Sequence, residues 1–177
     1  MNDPADKIAI FVEDDYEDME LWYPYYRLKE ASFEPVIIGP GTKPTFRSKH
    51  GVEANVDVVI DKAKVEDYVG LIIPGGFAPD RMRRHPAMNE FAKRTFDSGK
   101  LIAAICHGPS VLVSANVLRG RKATSFHSIK DDVINAGARY LDKEVVVDGN
   151  LITSRRPADL PAFMRATLEY LADRRGL

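Results

Sequence analysis

The chain has 177 residues, of which 45% are hydrophobic and 29% charged, a composition typical of a globular protein with one sizeable core. Lys and Arg number 25 and Asp and Glu number 26, so the chain lacks the positive excess of proteins that bind nucleic acids or anionic membranes. No apolar run is long enough to cross a bilayer, and the N-terminus lacks the pattern of a signal peptide. We expect a single cytoplasmic domain over residues 1–177.

Cysteine and histidine usage limits the metal and redox chemistry. Cys106 is the only cysteine, which excludes an internal disulfide and any metal site built from cysteines alone. The four histidines, His50, His85, His107 and His127, show no metal-ligand spacing. We therefore expect neither a metal ion nor another cofactor.

The first half of the chain alternates apolar runs with helical patterns. In chain order it predicts a strand at 7–12, a helix at 17–31 that Pro24 should kink, a strand at 33–39, a turn-rich segment at 42–61 with one or two short strands, and a strand at 70–76 that ends in a glycine turn. A helical region follows at 79–99, broken near Pro86 and ended by Gly99.

The second half continues the alternation. It predicts a buried strand at 100–105, a helix at 107–118, a short strand at 122–126, a helix at 128–137, a hairpin at 144–154 with Asp148 and Gly149 at its turn, and a last helix from about Ala158. Alternating strands and helices predict an α/β fold, a three-layer sandwich around a mostly parallel, flavodoxin-like sheet. Such folds bind ligands at the carboxyl ends of the strands.

The lone cysteine stands where a strand passes into a helix. This is the position of a nucleophile elbow, which needs small neighbours such as Ala104 and Gly108 so that the backbones can approach. Free N–H groups of the following helix favour a thiolate, so we expect a lowered pKa for Cys106. A buried structural cysteine is the alternative, since free cysteines are often buried.

Two further segments stand at strand ends. Gly75 and Gly76 can present backbone N–H groups as part of an oxyanion hole, although a simple turn would also explain them. Residues 13–20 carry six acidic side chains. We expect most of them to be solvated near a helix start, and one to turn inward and stay protonated beside the thiol.

These segments together resemble the PfpI-type intracellular cysteine peptidase family, in the superfamily of the parkinsonism-associated protein deglycase, whose fold is of the class I glutamine amidotransferase-like type. The motifs are "AAICHGP" around Cys106, the upstream "PGG", and "EDME" ahead of a tyrosine–proline pair. The matching segments run from the first predicted strand into the last helix, so the resemblance covers nearly the whole chain.

The resemblance implies roles for individual residues. Cys106 corresponds to the nucleophile and His107 to its neighbouring catalytic histidine. Glu20 corresponds to the acid beside the thiol, with Glu17 as the second choice, and Gly75 and Gly76 correspond to the oxyanion loop.

Two positions depart from the family pattern. Asp80 stands where a glutamate usually reaches the histidine of an adjacent subunit, so its carboxylate is one methylene shorter. His127 follows Phe126, which occupies the place where relatives carry a histidine or tyrosine, so His127 is either part of the site or a surface residue. The resemblance also implies a homo-oligomer, either a dimer or a hexamer.

Three functions remain open. The first is a cysteine-dependent enzyme that acts on small reactive carbonyls, of the glutathione-independent glyoxalase or deglycase type, in stress defence. The second is a peptidase or amidase, which needs an acyl-enzyme and an oriented histidine base. The third is a redox sensor or chaperone without turnover, because an accessible thiolate oxidises readily. The expected partner is a small carbonyl compound or a peptide, with neither nucleic acid nor membrane involved.

Overall fold

The computed structural model describes residues 6–175. Its strands are β1 (Lys7–Phe11), β2 (Glu34–Gly39), β3 (Thr45–Arg47), β4 (Glu53–Asn55), β5 (Val58–Val59), β6 (Gly70–Ile73), β7 (Leu101–Ile105), β8 (Lys122–Ala123), β9 (Arg139–Tyr140), β10 (Val145–Asp148) and β11 (Leu151–Ser154). Its α-helices are α1 (Asp18–Glu30), α2 (Ala78–Met82), α3 (Pro86–Asp97), α4 (Pro109–Ser114), α5 (Lys130–Asn135) and α6 (Leu160–Arg175).

Seven strands form the central sheet, in the order β10-β11-β7-β6-β1-β2-β5. All neighbours pair in parallel except β10 and β11, which form the expected hairpin. The five main parallel strands follow the flavodoxin order 2-1-3-4-5, which reverses direction between β1 and β6. The predicted fold class is therefore confirmed, and the ligand crevice is expected at the carboxyl ends of these two strands.

Helices cover both faces of the sheet. Helices α1 and α6 contact each other on one face, while α2, α3, α4 and α5 form a connected layer on the other. All residues of β6 and β7 are buried, which explains why both strands are continuous apolar runs. The buried strands hold their carboxyl ends rigidly, and the segments that follow them carry the candidate site.

The hairpin of β3 and β4 docks on the acidic loop between β1 and α1. Tyr16, fully buried in this loop, forms isolated β-bridges with Ser48 on one side and Gly76 on the other. Its hydroxyl donates a hydrogen bond to the carbonyl of Val52 at 2.8 Å. The loop is thus clamped between the hairpin and the glycine turn after β6.

Several predicted elements needed correction. The helix predicted at 107–118 is confined to α4 because Asn116 adopts a left-handed φ of +56°. The strand predicted at 122–126 shrinks to β8, which pairs with β9 outside the central sheet. Residues 42–61 contain three short strands rather than one or two.

Helix α1 and the β10–β11 hairpin lie close to where the sequence predicted them. Helix α1 continues through Pro24. In the β10–β11 hairpin, Asp148 pairs with Leu151, so the turn lies one residue later than predicted, at Gly149 and Asn150. Gly149 has a φ of +63°, as the first central position of a type II′ turn requires. Within residues 6–175 no helix has the length and apolarity needed to span a membrane.

Candidate active site

Cys106 lies on a sharp turn between β7 and α4. Its φ of +61° is left-handed, and its N–H donates to the carbonyl of Ser154 at 3.1 Å. A Cβ atom added to Gly108 would come within 2.5 Å of the carbonyl oxygen of Ile73, so only glycine allows the close approach. These features form the nucleophile elbow predicted from the sequence.

The glycine turn after β6 presses directly against the thiol. A Cβ on Gly75 would lie 2.6 Å from the Cβ of Cys106 and 2.5 Å from Oε2 of Glu20. Gly76 has a φ of +73°, and its N–H, together with that of His107, hydrogen-bonds the sulfur of Cys106. Two backbone donors therefore converge on the sulfur, where they favour the thiolate, whereas the N–H of Gly75 is used by Glu20; an oxyanion hole at this turn stays a prediction.

Glu20 is the acid that turns inward. Its side chain is fully buried, and Oε2 accepts a hydrogen bond from the N–H of Gly75 at 2.8 Å. Burial, the largest cause, raises the pKa of Glu20 to about 8, with the charge of Glu17 acting in the same direction. Glu20 is therefore protonated at neutral pH, while its Oε1 has no hydrogen-bond partner of good geometry within residues 6–175.

The pKa of the thiol departs from the sequence-based expectation. Burial, followed by the charge of an ionised Glu20, raises the pKa of Cys106 to about 12. The N–H groups of Gly76 and His107 act in the opposite direction but are outweighed. The prediction of a lowered pKa was wrong because it counted the donors and omitted the cost of burying a charge. Since Glu20 ionises only near pH 8, its repulsion is absent at neutral pH.

The acidic loop is paired rather than solvated, which corrects another expectation. Each of the other five acids between residues 13 and 20 has a basic partner from elsewhere: Glu13 with His85, Asp14 with Lys43, Asp15 with Arg81, Glu17 with Lys49, and Asp18 with His50. Glu20, in the first turn of α1, is the one acid of the six that is buried without an ion-pair partner. These contacts fix the loop, so Glu20 is held in place beside the thiol.

Lys49 is a site residue that sequence reasoning missed. Its ammonium forms an ion pair with Glu17, and its charge also interacts with Cys106 and Glu20. The pKa of Lys49 is raised, chiefly by the hydrogen bond to Glu17. The only sequence signal was a lysine in a turn-rich segment, and the docking of the β3–β4 hairpin brings it to the site.

One group of side chains has the composition of a metal site. Ligand atoms of Glu17, Asp18 and His50 lie within 4.8 Å of one another. Each carboxylate already has protein partners, since Glu17 pairs with Lys49 and Asp18 accepts hydrogen bonds from His50 and from the hydroxyl of Ser48. The absence of a metal cofactor stays a prediction.

His107 is half-buried above the thiol. Its ring stacks on Phe126 with centroids 5.2 Å apart, and Nε2 lies 3.4 Å from the hydroxyl of Ser128. Burial lowers the pKa of His107, although the charge of Asp80 opposes this shift. The imidazole is therefore neutral at neutral pH and able to accept a proton.

Asp80 and His127 lie at the periphery. Asp80 is exposed on α2 and acts on His107 of its own chain through charge; its contact across a subunit interface stays a prediction. His127 is exposed, and its ring lies against Phe126 at 4.3 Å. Its charge acts to lower the pKa of His107.

Comparison with known proteins agrees with this geometry. Residues 6–170 match the model of the DJ-1/PfpI family. The protein named Deglycase PH1704, from Pyrococcus horikoshii, is 48% identical over 165 residues, which cover 93% of this chain and 99% of that protein.

Solved structures give the same result. A two-domain protein from Anabaena variabilis, with DJ-1/ThiJ/PfpI-like and ferritin-like domains, matches with a TM-score of 0.92 and 44% identity over 94% of this chain and 48% of that chain. Drosophila melanogaster DJ-1beta matches with a TM-score of 0.88 and 28% identity over 95% of this chain and 91% of that chain. These matches confirm the resemblance inferred from the motifs.

Proposed function

This chain belongs to the DJ-1/PfpI family, and from that premise we propose that it is a cysteine-dependent enzyme acting on small reactive carbonyls. The reaction is of the glutathione-independent glyoxalase or deglycase type, and its setting is cytoplasmic stress defence. The observation that carries the proposal is the buried pair of the Glu20 carboxyl and the Cys106 thiol. The name of the deglycase relative supports the same class of reaction.

The pair has the chemistry for the first step on an aldehyde such as methylglyoxal. The sulfur of Cys106 adds to the aldehyde carbon, the carbonyl π bond breaks, and the oxygen takes up a proton. Glu20, protonated at neutral pH because its pKa is raised to about 8, supplies that proton, and the thiol proton replaces it. The product is a hemithioacetal, whose oxygen lies near the backbone donors of the elbow.

The second step moves a proton within the adduct. A base removes the proton from the former aldehyde carbon, and the neighbouring ketone carbon receives one, which leaves a thioester. Neutral His107 is the base available within the site, because Glu20 has regained a proton in the first step. Water then hydrolyses the thioester, which releases lactate and restores the thiol, so the net reaction consumes one water and needs no redox partner.

Access to the thiol favours a small substrate over a peptide. Cys106 is only 8% exposed, between the glycine turn on one side and the stacked rings of His107 and Phe126 on the other. Peptide cleavage also needs a histidine oriented by an acid. Within the described chain, Nε2 of His107 lies next to the hydroxyl of Ser128 instead of a carboxylate.

Proton NMR of the purified protein with methylglyoxal, in the absence of glutathione, tests the proposal. We expect lactate from the wild type and none from Cys106→Ala. Lactate from both proteins, or from neither, would refute the proposed reaction. If neither produces lactate, peptide substrates then test the peptidase, and a stable gain of two oxygens on Cys106 after mild peroxide would favour the sensor.

A further inference from the structure

A groove with an excess of positive charge lies next to Phe126, whose ring stacks on His107. It has a volume of about 600 Å³ and is lined by Phe126, His127, Lys130, Tyr140, Arg155 and Arg156, with one carboxylate, that of Asp142. The lining therefore carries three permanent positive charges, on Lys130, Arg155 and Arg156, and one negative charge, on Asp142. A cavity of this size holds a sugar-sized molecule.

One of the three cations is neutralised by the protein itself. Arg155 donates to Asp142 at 2.8 Å and to Asp159 at 2.9 and 3.2 Å. This double pairing fixes the segment after β11 and also occupies the groove's own carboxylate. The guanidinium of Arg155 therefore has a structural role, because its hydrogen bonds are already made to Asp142 and Asp159.

The other two cations have no such partner. Within residues 6–175 neither Lys130 nor Arg156 forms an ion pair with a carboxylate; their charges act on the Asp142 carboxylate only from a longer range, where they help to lower its pKa. The ammonium of Lys130 lies 5.7 Å from the ring centroid of Tyr140, whose hydroxyl is held by the carbonyl of Ser125 at 3.1 Å. Lys130 and Arg156, two cations without an ion-pair partner near the ring of Tyr140, suit a doubly charged anion. Arginine binds phosphate with two parallel N–H groups.

A single residue connects the groove to the reactive centre. Phe126 lines the groove, while its N–H donates to the carbonyl of Cys106 at 2.9 Å. Its ring stacks on that of His107. Phe126 therefore contacts both the elbow and the groove, and the path we propose for a substrate runs past its ring.

We propose that the groove lined by Lys130, Arg156 and Tyr140 binds a phosphate group carried by the carbonyl substrate. The inference rests on the proposed function, in which Cys106 reacts with the carbonyl group of the substrate. It adds the class of that substrate, a phosphorylated aldehyde or ketone. The positive charges of Lys130 and Arg156 bind the phosphate group, and the sulfur of Cys106 reacts with the carbonyl group.

Isothermal titration calorimetry with inorganic phosphate, at constant ionic strength set with chloride, tests the groove independently of turnover. We expect binding to the wild type and to Cys106→Ala, at least tenfold weaker binding to Lys130→Met and Arg156→Met, and no change in Lys143→Met. Lys143 is an exposed lysine that does not line the groove. Absence of binding, or equal weakening in all three cation variants, would overturn the proposal. Acetate binding as tight as phosphate binding would also overturn it, in favour of a carboxylate site.

A protection assay then tests the link to the thiol. An aldehyde that adds to Cys106 as a hemithioacetal blocks its alkylation by iodoacetamide. We expect glyceraldehyde 3-phosphate to halve the alkylation rate at a concentration at least tenfold lower than glyceraldehyde, and Lys130→Met to abolish the difference. Equal protection by both aldehydes would refute the coupling. Protection by neither, with phosphate binding intact, would instead count against the proposed function and leave the phosphate site supported.

Discussion

The carboxyl of Glu20 and the thiol of Cys106 form a buried pair within hydrogen-bonding range, although one belongs to the first helix and the other follows β7. Burial raises the pKa of both groups, to about 8 and about 12 respectively. An ionised Glu20 repels a thiolate, whereas a protonated Glu20 can donate to it through Oε1. The ionisation of either group therefore depends on that of the other.

Glu20→Gln should stabilise the protein at alkaline pH. The folded protein keeps a proton on Glu20 that the unfolded chain releases near pH 4.5, so the free energy of unfolding falls as pH rises from about 4.5 to about 8. Glutamine does not titrate and avoids this loss. We expect the variant to gain a few kcal/mol relative to the wild type between pH 5 and pH 8.5.

Urea unfolding at these two pH values measures the gain, with Glu53→Gln as the control. Glu53 is an exposed residue of β4 that pairs with Arg47, so its replacement should give no such pH-dependent gain. A constant difference between wild type and Glu20→Gln across this range would show that Glu20 is ionised in the folded protein at neutral pH.

The same substitution should accelerate alkylation of the thiol above pH 9. In the wild type Glu20 is then ionised, and both its charge and its hydrogen bond raise the pKa of Cys106. Glutamine removes the charge, so the pKa of the thiol falls, and a pKa lower by one increases the thiolate about tenfold. We expect iodoacetamide to react with Glu20→Gln at least tenfold faster at pH 9.5, as followed by mass spectrometry. Equal rates in both proteins would show that the two groups are not coupled.

Gly75→Ala should remove activity through a steric clash at the site. The added methyl would lie 2.6 Å from the Cβ of Cys106 and 2.5 Å from Oε2 of Glu20, which forces these two residues apart. We also expect a loss of about 1–3 kcal/mol in the free energy of unfolding, as for other overpacked sites.

Gly70→Ala is the matched control for this change. A Cβ there would lie 2.8 Å from the Cβ of Leu101, a similar clash at the opposite end of β6. Both variants should lose stability, but only Gly75→Ala should lose lactate formation per folded molecule. Comparable activity loss in both would mean that general destabilisation explains the effect.

Lys49→Met should slow the thiol chemistry. Its positive charge lowers the pKa of Glu20 and interacts favourably with an ionised Cys106, so its removal disfavours the thiolate. We expect alkylation at pH 8 to slow by roughly tenfold, as it would if the pKa of the thiol rose by about one. Lys43→Met, just ahead of β3 and paired with Asp14, should leave the rate unchanged. An unchanged rate in Lys49→Met would remove this residue from the site.

Local sequence determined the elbow and the sheet. The run 101–105 is apolar throughout because both faces of β7 are covered, and this can be read without a structure. Gly108 is required because the turn at Cys106 brings backbone within 2.5 Å of where a Cβ would stand. The same holds for the glycine turn after β6, where Gly76 adopts a positive φ. The mostly parallel sheet followed from the alternation of strands and helices.

Only the tertiary structure decided which charges reach the thiol and how they act. Glu17 and Glu20 are one helical turn apart, and only the family resemblance placed Glu20 first. Packing buries Glu20 without an ion-pair partner and pairs Glu17 with Lys49. Lys49 itself arrives from a hairpin that docks through Tyr16. The pKa values follow from desolvation, which depends on how completely the whole fold excludes water. A sequence pattern records residue types and spacing, whereas burial is a property of the assembled core.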